Sequence, residues 1–425
     1  MRPQKGKFTT DLLWNAGAFA LSALFGVLVN LLIIRYYDAA ALGVFNLVYA
    51  SYILLSQLAV GGVHLAVQAF VPRELSAGRS ADQQVSSSFL LATATSLVVM
   101  GAAWLGRSLP GQWFSSPAVL EAFPLVIPGL IFFSWNKVLL SFHNGARRMR
   151  LFAAFQLMRF MLLFAAVLWL ALHDTPSAQL PLVLFWTEAL LFALLLPVTL
   201  FYWKPFRGNG LRSALGENFR FGNRALAGNL LLDVNTRVDV FMLGIFLDET
   251  AVGLYSFAAT VAEGVLQLPV LFRNNINPIL TRAWHKGGAT LLEKVVERNR
   301  RAFFRLLAPL VFLTIPLFPV ALWIMGMDNE PMLVWAVYAV LACGIALTAG
   351  EQPFLMLFSQ LGHPWMQTQF ILGLFLSNVL LNLLLIPALG ILGSALATAV
   401  SYFSLFVLRQ ALLKQLLRNG SPAHG

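Results

Sequence analysis

Apolar residues in this chain run in blocks of about 20, the length a helix needs to cross a hydrocarbon core about 30 Å thick. Short polar breaks rich in charge, Pro and Gly separate the blocks. Breaking the chain at these clusters predicts helices over 12–34, 42–71, 85–106, 119–142, 151–172 and 181–203. The second half gives 219–247, 251–280, 302–326, 332–358, 365–387 and 391–414. With 59% hydrophobic and 11% charged residues among 425, there is too little polar surface to cover a water-soluble globule. The fold class expected is an all-α integral membrane protein with about twelve spans.

The loops sort by charge. One side carries Arg2, Lys5, Lys7, Arg73, Arg79, Arg147, Arg148, Arg150, Lys204, Arg207 and Arg212. The same side carries the basic run from Arg282 to Arg301, then Lys414 and Arg418. The other side sets Arg35 and Arg107 against Asp38, Asp174, Asp248, Glu249, Asp328 and Glu330. Excess Lys and Arg marks the cytoplasmic face, so a multi-pass protein of the cytoplasmic (inner) membrane with both termini in the cytoplasm is expected. The net charge of +11 is mostly this topological signal. No loop exceeds about 20 residues, far short of a folded soluble domain, so no nucleic-acid partner is expected. The first apolar run is longer than a cleavable signal core and reads as an uncleaved span.

The two halves echo each other. Asp38-Ala-Ala-Ala-Leu-Gly43 follows the first span and Asp248-Glu-Thr-Ala-Val-Gly253 the seventh, at an offset of 210 that holds for Asp38/Asp248, Ala41/Ala251 and Gly43/Gly253. A weaker echo sets Asn144-Gly145-Ala146 against Leu361-Gly362-His363. Six spans per half make this a parallel repeat, as in transporters whose lobes flank a central cavity. The expected organisation is a six-helix lobe over 1–203, a linker over 204–218 containing Pro205, Gly208, Asn209 and Gly210, and a six-helix lobe over 219–425.

An ionisable residue at mid-bilayer costs about 2.5–3.5 kcal/mol on insertion scales and is a functional candidate by default. The first half holds Lys137, Arg159 and Glu188 within its spans. Arg159 lies about 12 Å along its helix at 1.5 Å per residue. Cavity lining and snorkelling to the interface are the two readings for such long cations. The span over 219–247 carries Arg220, Asn223, Arg224, Asp233, Arg237 and Asp239. Asp233 and Arg237, four apart, share a helical face and can pair. They are either a self-neutralised packing pair or part of a substrate or coupling site. Glu263 and Arg273 follow in the eighth span and Glu351 in the tenth. Prolines at 124, 128, 197, 309, 316, 319, 353 and 387 fall within spans and supply expected bends.

No Gly-x-x-x-x-Gly-Lys-Ser/Thr phosphate loop or Gly-x-Ser-x-Gly elbow occurs in the chain. The six histidines, among them His424, show no metal spacing, and Cys343 stands alone. No catalytic residue, metal or cofactor is therefore assigned.

Three stretches, Asp38–Phe45, Asp233–Tyr255 and Asn378–Thr398, resemble the Wzx-type oligosaccharide flippases. These form the polysaccharide-transport branch of the multidrug/oligosaccharidyl-lipid/polysaccharide exporter superfamily. The resemblance spans the chain in length and helix count. It implies two lobes around a central cavity and movement of a polyprenyl-diphosphate-linked oligosaccharide to the outer leaflet by alternating access. Its implied partners are that substrate, membrane lipid, and the polymerase and glycosyltransferases of the same pathway. A cationic cavity would suit the diphosphate, and Lys137, Arg159, Arg224, Arg237 and Arg273 are the matching residue types. Asp233, Asp239, Glu263, Glu188 and Glu351 are the candidates for ion coupling. A cation-coupled multidrug exporter and a membrane polymerase or ligase are the alternatives. The first span offers only Asp11 and Asn30, where the drug exporters tend to carry an acid.

Overall fold

The computed structural model describes residues 5–207, 210–326 and 330–418. The expected features at Arg2, Gly208, Asn209, Asp328 and His424 lie outside them. Among the described residues the secondary structure is helical, with no strand. The chain divides into two compact units, Met1–Val234 and Asn235–Gly425.

The first unit contains α1 (Lys5–Tyr36), α2 (Ala39–Val60), α3 (Val63–Ser76), α4 (Asp82–Leu105), α5 (Leu109–Trp113) and α6 (Pro117–Val126). It continues through α7 (Gly129–Gly145), α8 (Met149–Leu172), α9 (Leu182–Leu200) and α10 (Leu211–Asn235), which ends at the boundary. The second contains α11 (Val238–Phe246), α12 (Glu249–Ile324), α13 (Pro331–Thr348), α14 (Leu357–Gln360) and α15 (Pro364–Arg418). Among the described residues, eight helical segments are long and apolar enough to cross a membrane, or nine if α6 and α7, bent by 50°, form one span. Two of the eight, Ile276–Ile324 and Pro364–Leu416, hold 49 and 53 residues; the second is long enough for two crossings, while the first carries a run of charge from Arg282 to Arg305 and is apolar only beyond it. α10 is too polar to qualify, and α11, with nine residues, is too short.

Glycine, more than proline, sets the breaks. Gly61 and Gly62, at φ 61° and 69°, divide the span expected over 42–71 into α2 and α3. Within α12 the helix breaks at Gly287–Gly288, and within α15 at Gly390 (φ 58°, ψ −136°), backbone that side-chain-bearing residues rarely adopt. The basic loop expected between 280 and 302 is instead helical on both sides of that first break. Pro124, Pro197, Pro309, Pro316, Pro319 and Pro387 sit inside helices that continue past them, while Pro128 lies at the α6–α7 bend and Pro353 in a short 3₁₀ turn after α13. The span expected over 219–247 is also interrupted, at Thr236–Arg237, between α10 and α11.

The repeated Asp has a local explanation. Asp38 N-caps α2, its carboxylate accepting from the Ala41 N–H at 2.7 Å, and Asp248 N-caps α12, accepting from Ala251 at 2.8 Å. Each satisfies a donor that a helix start leaves without an intrahelical partner. A short carboxylate immediately before the first turn is what this cap requires, and both halves keep it.

In the first unit, Val67, Val85, Val138, Leu139, Leu191, Leu195 and Trp203 form a buried core among α3, α4, α7 and α9. The start of α10 is tied to this core. Asn218 donates to Gln84 O at 2.9 Å and to Ser88 Oγ at 2.9 Å, and Phe221 packs edge-on against Phe70. Gly62 and Gly222 allow the two backbones to meet: a Cβ on Gly62 would stand 2.3 Å from Gly222 O.

Candidate functional site

Three groups of charge among the helices emerge, one in the first unit and two in the second. In the first, α7, α8 and α9 bring Lys137, Arg159 and Glu188 together. Arg159 meets Glu188 through two contacts, Nε–Oε1 at 2.9 Å and Nη2–Oε2 at 3.1 Å. Asn136 donates to the backbone and carboxylate oxygens of Glu188, both at 2.8 Å. Glu188 is only 4% exposed, so its charge is compensated as a buried carboxylate requires. Lys137 is the odd member. Its Nζ lies 5.7 Å from the Phe133 ring centroid, and the Arg159 guanidinium lies 5.1 Å from the same ring. Both are within cation–π range. Lys137 also sits in the field of Arg159, Asp233, Glu188 and His64, and among the described residues no carboxylate stands within ion-pair distance of it. The buried hydroxyls of Tyr52 and Thr187 have no hydrogen-bond partner among the described residues.

In the second unit, α11, α12 and α15 enclose a cavity of about 360 Å³ lined by Arg237, Asp239, Tyr255, Glu263, Asn378 and Thr398, among others. Asp239 accepts from the Tyr255 hydroxyl at 2.5 Å and from the Val240 N–H at 3.0 Å. Tyr255 in turn lies 3.5 Å from the Thr398 hydroxyl. Arg237 reaches toward Glu263 at 3.8 Å, a looser pairing than that of Arg159. The helix break places Arg237 at the N-cap of α11 instead of one turn beyond Asp233 on a continuous helix. The cavity therefore holds two carboxylates, one guanidinium and a set of hydroxyl and amide groups. Such an arrangement can hold a small cation or a proton, or present hydrogen bonds to a polar substrate.

The remaining candidates lie elsewhere. Glu351, 6% exposed, accepts from Arg409 Nε at 2.8 Å and Nη2 at 3.2 Å, with Arg300 at 3.6 Å. It is not among the cavity-lining residues. Arg273 on α12 is half-buried, Arg224 on α10 is exposed, and neither has an ion-pair partner among the described residues. Sequence reasoning passed over Arg409, although it lies within the span expected over 391–414, and over Tyr255, Asn378 and Thr398 as neighbours of Asp239. An Arg inside an apolar block was a signal available for the first; the others carry no charge and leave no such trace.

The sequence matches the family described as polysaccharide biosynthesis protein over residues 68–327, more than half the chain. The chain belongs to that family. No curated protein matches it at a significant level. Solved structures share the fold across nearly its full length. A lipid II flippase MurJ in an inward closed conformation superposes with a TM-score of 0.73 at 14% identity, covering 94% of this chain and 87% of that one. An inward-facing multidrug resistance MATE family transporter of the MOP superfamily gives 0.70 at 13% identity, covering 94% and 96%. A MOP superfamily transporter from Pyrococcus furiosus, described as having a binding pocket of reverse polarity, gives 0.64 at 12%, covering 95% and 96%. The family expected from the sequence is thus borne out as a polysaccharide biosynthesis family, and the likeness to the exporters is one of fold.

Proposed function

We propose that this protein moves a polyprenyl-diphosphate-linked oligosaccharide, the repeat unit of an O-antigen, capsule or exopolysaccharide, from the inner to the outer leaflet of the cytoplasmic membrane. The observation that carries this reading is the pair of cations over Phe133, together with membership of the polysaccharide biosynthesis family. Arg159 is balanced by Glu188, while Lys137 has no carboxylate in contact among the described residues. Lys137 is therefore the cation with capacity to spare for a diphosphate. In this reading residues 1–203 and 219–425 act as two lobes joined by 204–218, with both termini cytoplasmic. Alternating access presents the cationic site first to one leaflet and then to the other, while the polyprenyl tail stays in lipid. Export of an anion from a negative-inside cell gains about 2.3 kcal/mol per charge per 100 mV, so the membrane potential assists.

The Asp239–Glu263 cavity supports a second element, coupling of transport to a proton or small cation. It also keeps a cation-coupled drug exporter as the alternative reading. The test uses Lys137→Gln and Arg237→Gln at matched protein levels. A charge-assisted hydrogen bond contributes about 1.5–3 kcal/mol, so each variant should slow clearance of the lipid-linked intermediate by about tenfold or more and leave it in the inner leaflet. Unchanged turnover in both variants refutes the anion-binding role. Extrusion of a cationic dye by the purified protein, driven by an imposed sodium or proton gradient, favours the exporter.

A further inference from the structure

A second cationic site lies in the first unit, at the end that carries the basic loops. There Leu75, Ser80, Asp82, Phe142, Arg148, Tyr202, Lys204 and Arg207 help line a pocket of about 230 Å³. Its charge is three cations to one carboxylate. None of Arg148, Lys204 and Arg207 makes an ion pair among the described residues. Asp82 is already occupied, accepting from the Lys204 N–H at 3.1 Å.

The walls are built, not incidental. Trp203, 2% exposed, donates through Nε1 to Ser86 Oγ at 3.2 Å, and the Phe206 N–H donates to the same oxygen at 2.9 Å. Gln83 closes the segment by donating to Arg207 O. The stretch carrying Lys204 and Arg207 is thereby held against the start of α4. The Arg148 guanidinium carbon stands over the Tyr202 ring, 3.7 Å from its centroid, and 5.2 Å from that of Phe142. Its Nη1 is buried and has no hydrogen-bond partner among the described residues. A buried guanidinium N–H without an acceptor is a group whose partner is missing, and phosphate oxygens match its planar fork.

We propose that this pocket binds a phosphate group presented by the headgroup of an anionic phospholipid. The positive-inside distribution puts this end at the cytoplasmic surface, where anionic lipid and juxtamembrane cations meet. The site is independent of Lys137 and of the transported substrate.

The experiment titrates the detergent-solubilised full chain with phosphatidylglycerol and reads lipid adducts by native mass spectrometry. Arg148→Gln and Arg207→Gln should each weaken the tightest lipid-binding step by about tenfold. Arg147→Gln, which removes an equal charge from an exposed neighbour outside the pocket, should change it by less than about twofold. Arg207 is exposed, so its variant keeps the test intact if Arg148→Gln fails to fold. Equal binding by both pocket variants and the Arg147 control overturns the site. Inorganic phosphate that competes with the lipid supports phosphate recognition. Phosphate that protects the chain from thermal unfolding as well as phosphatidylglycerol does overturns the lipid assignment in favour of a soluble ligand.

Discussion

Arg409→Met is the substitution that most directly separates structural from functional charge in this protein. Arg409 and Glu351 are each 7% exposed in their side chains and meet through two hydrogen bonds. Breaking a buried pair by removing one partner costs about 3–5 kcal/mol, because the remaining charge is left buried. Here Arg300, 3.6 Å from Glu351 but one-third exposed and already bound to Glu297, offsets part of that loss. The expected cost is therefore near the low end, about 3 kcal/mol. At about 2 °C per kcal/mol for a large chain, the melting temperature should fall by about 6 °C, measured in detergent at a fixed scan rate. Replacing both partners with Met removes the stranded charge, so the double variant should recover to within about 1 kcal/mol of the parent. It should also still clear the lipid-linked intermediate. A single variant as stable as the parent refutes the energetic reasoning. A stable double variant that no longer exports would return Glu351 to the coupling machinery.

Three further outcomes follow from the geometry. Gly62→Ala should sharply reduce the yield of folded protein, since the new Cβ would stand 2.3 Å from Gly222 O at a φ of +69°; left-handed backbone alone costs about 1–2 kcal/mol for a side-chain-bearing residue. Asp38→Ala and Asp248→Ala should each cost about 1 kcal/mol through loss of the N-cap, with Asn at either position largely restoring it; equal stability of the Ala and Asn variants in chemical unfolding would contradict the cap. Glu297 lies in the charged run of α12, before its apolar stretch, and its hydrogen bonds with Arg300 and Arg301 hold its carboxyl down from 4.5 to about 2. Its stabilisation is therefore complete above pH 4.5 and lost as pH falls toward 2. Glu297→Gln should flatten acid unfolding over that window, by no more than about 1 kcal/mol for so exposed a pair.

What could be read from the sequence was whatever depends on near neighbours or on long apolar runs. The spans followed from length and hydropathy, and the Asp38/Asp248 echo proved to be a cap because capping is settled within four residues. The break at Gly61–Gly62 was missed within the span expected over 42–71, while most of the prolines expected to supply bends lie in helices that continue past them. A proline in an apolar helix loses one hydrogen bond yet can be tolerated by its surroundings. Paired glycines at 61–62 and 287–288 instead permit backbone angles that stop the helix. Partner choice was the least accessible. Glu351 finds Arg409 across 58 residues and Glu188 finds Asn136 across 52, distances over which no periodicity carries information.

The repeat also separates what is conserved in the architecture from what differs in chemistry. Each capped turn joins two helices bridged by a polar pair sixteen residues apart. In the first it is Asn46 donating to Asn30 at 3.2 Å; in the second it is Tyr255 donating to Asp239 at 2.5 Å. The bridge is neutral in one hairpin and acidic in the other, and at the offset of 210 the two pairs stand one position apart, Asn30 and Asn46 aligning with Val240 and Ser256. The cap therefore belongs to the frame, and the carboxylate of Asp239 is an addition that a bridge between two helices does not require. The first unit differs in the opposite sense: once Glu188 has neutralised Arg159, Lys137 is the surplus charge. A neutral pair would hold either hairpin together. The surplus cation of one unit and the surplus acid of the other are thus the places where chemistry beyond folding is expected. Asp239→Asn should accordingly preserve stability, since the Asn Oδ1 still accepts from the Val240 N–H and its amide can donate to the Tyr255 hydroxyl, which turns its own proton to Thr398, while altering any dependence of transport on an ion gradient. Unaltered dependence would leave Asp239 as a bridge and nothing more.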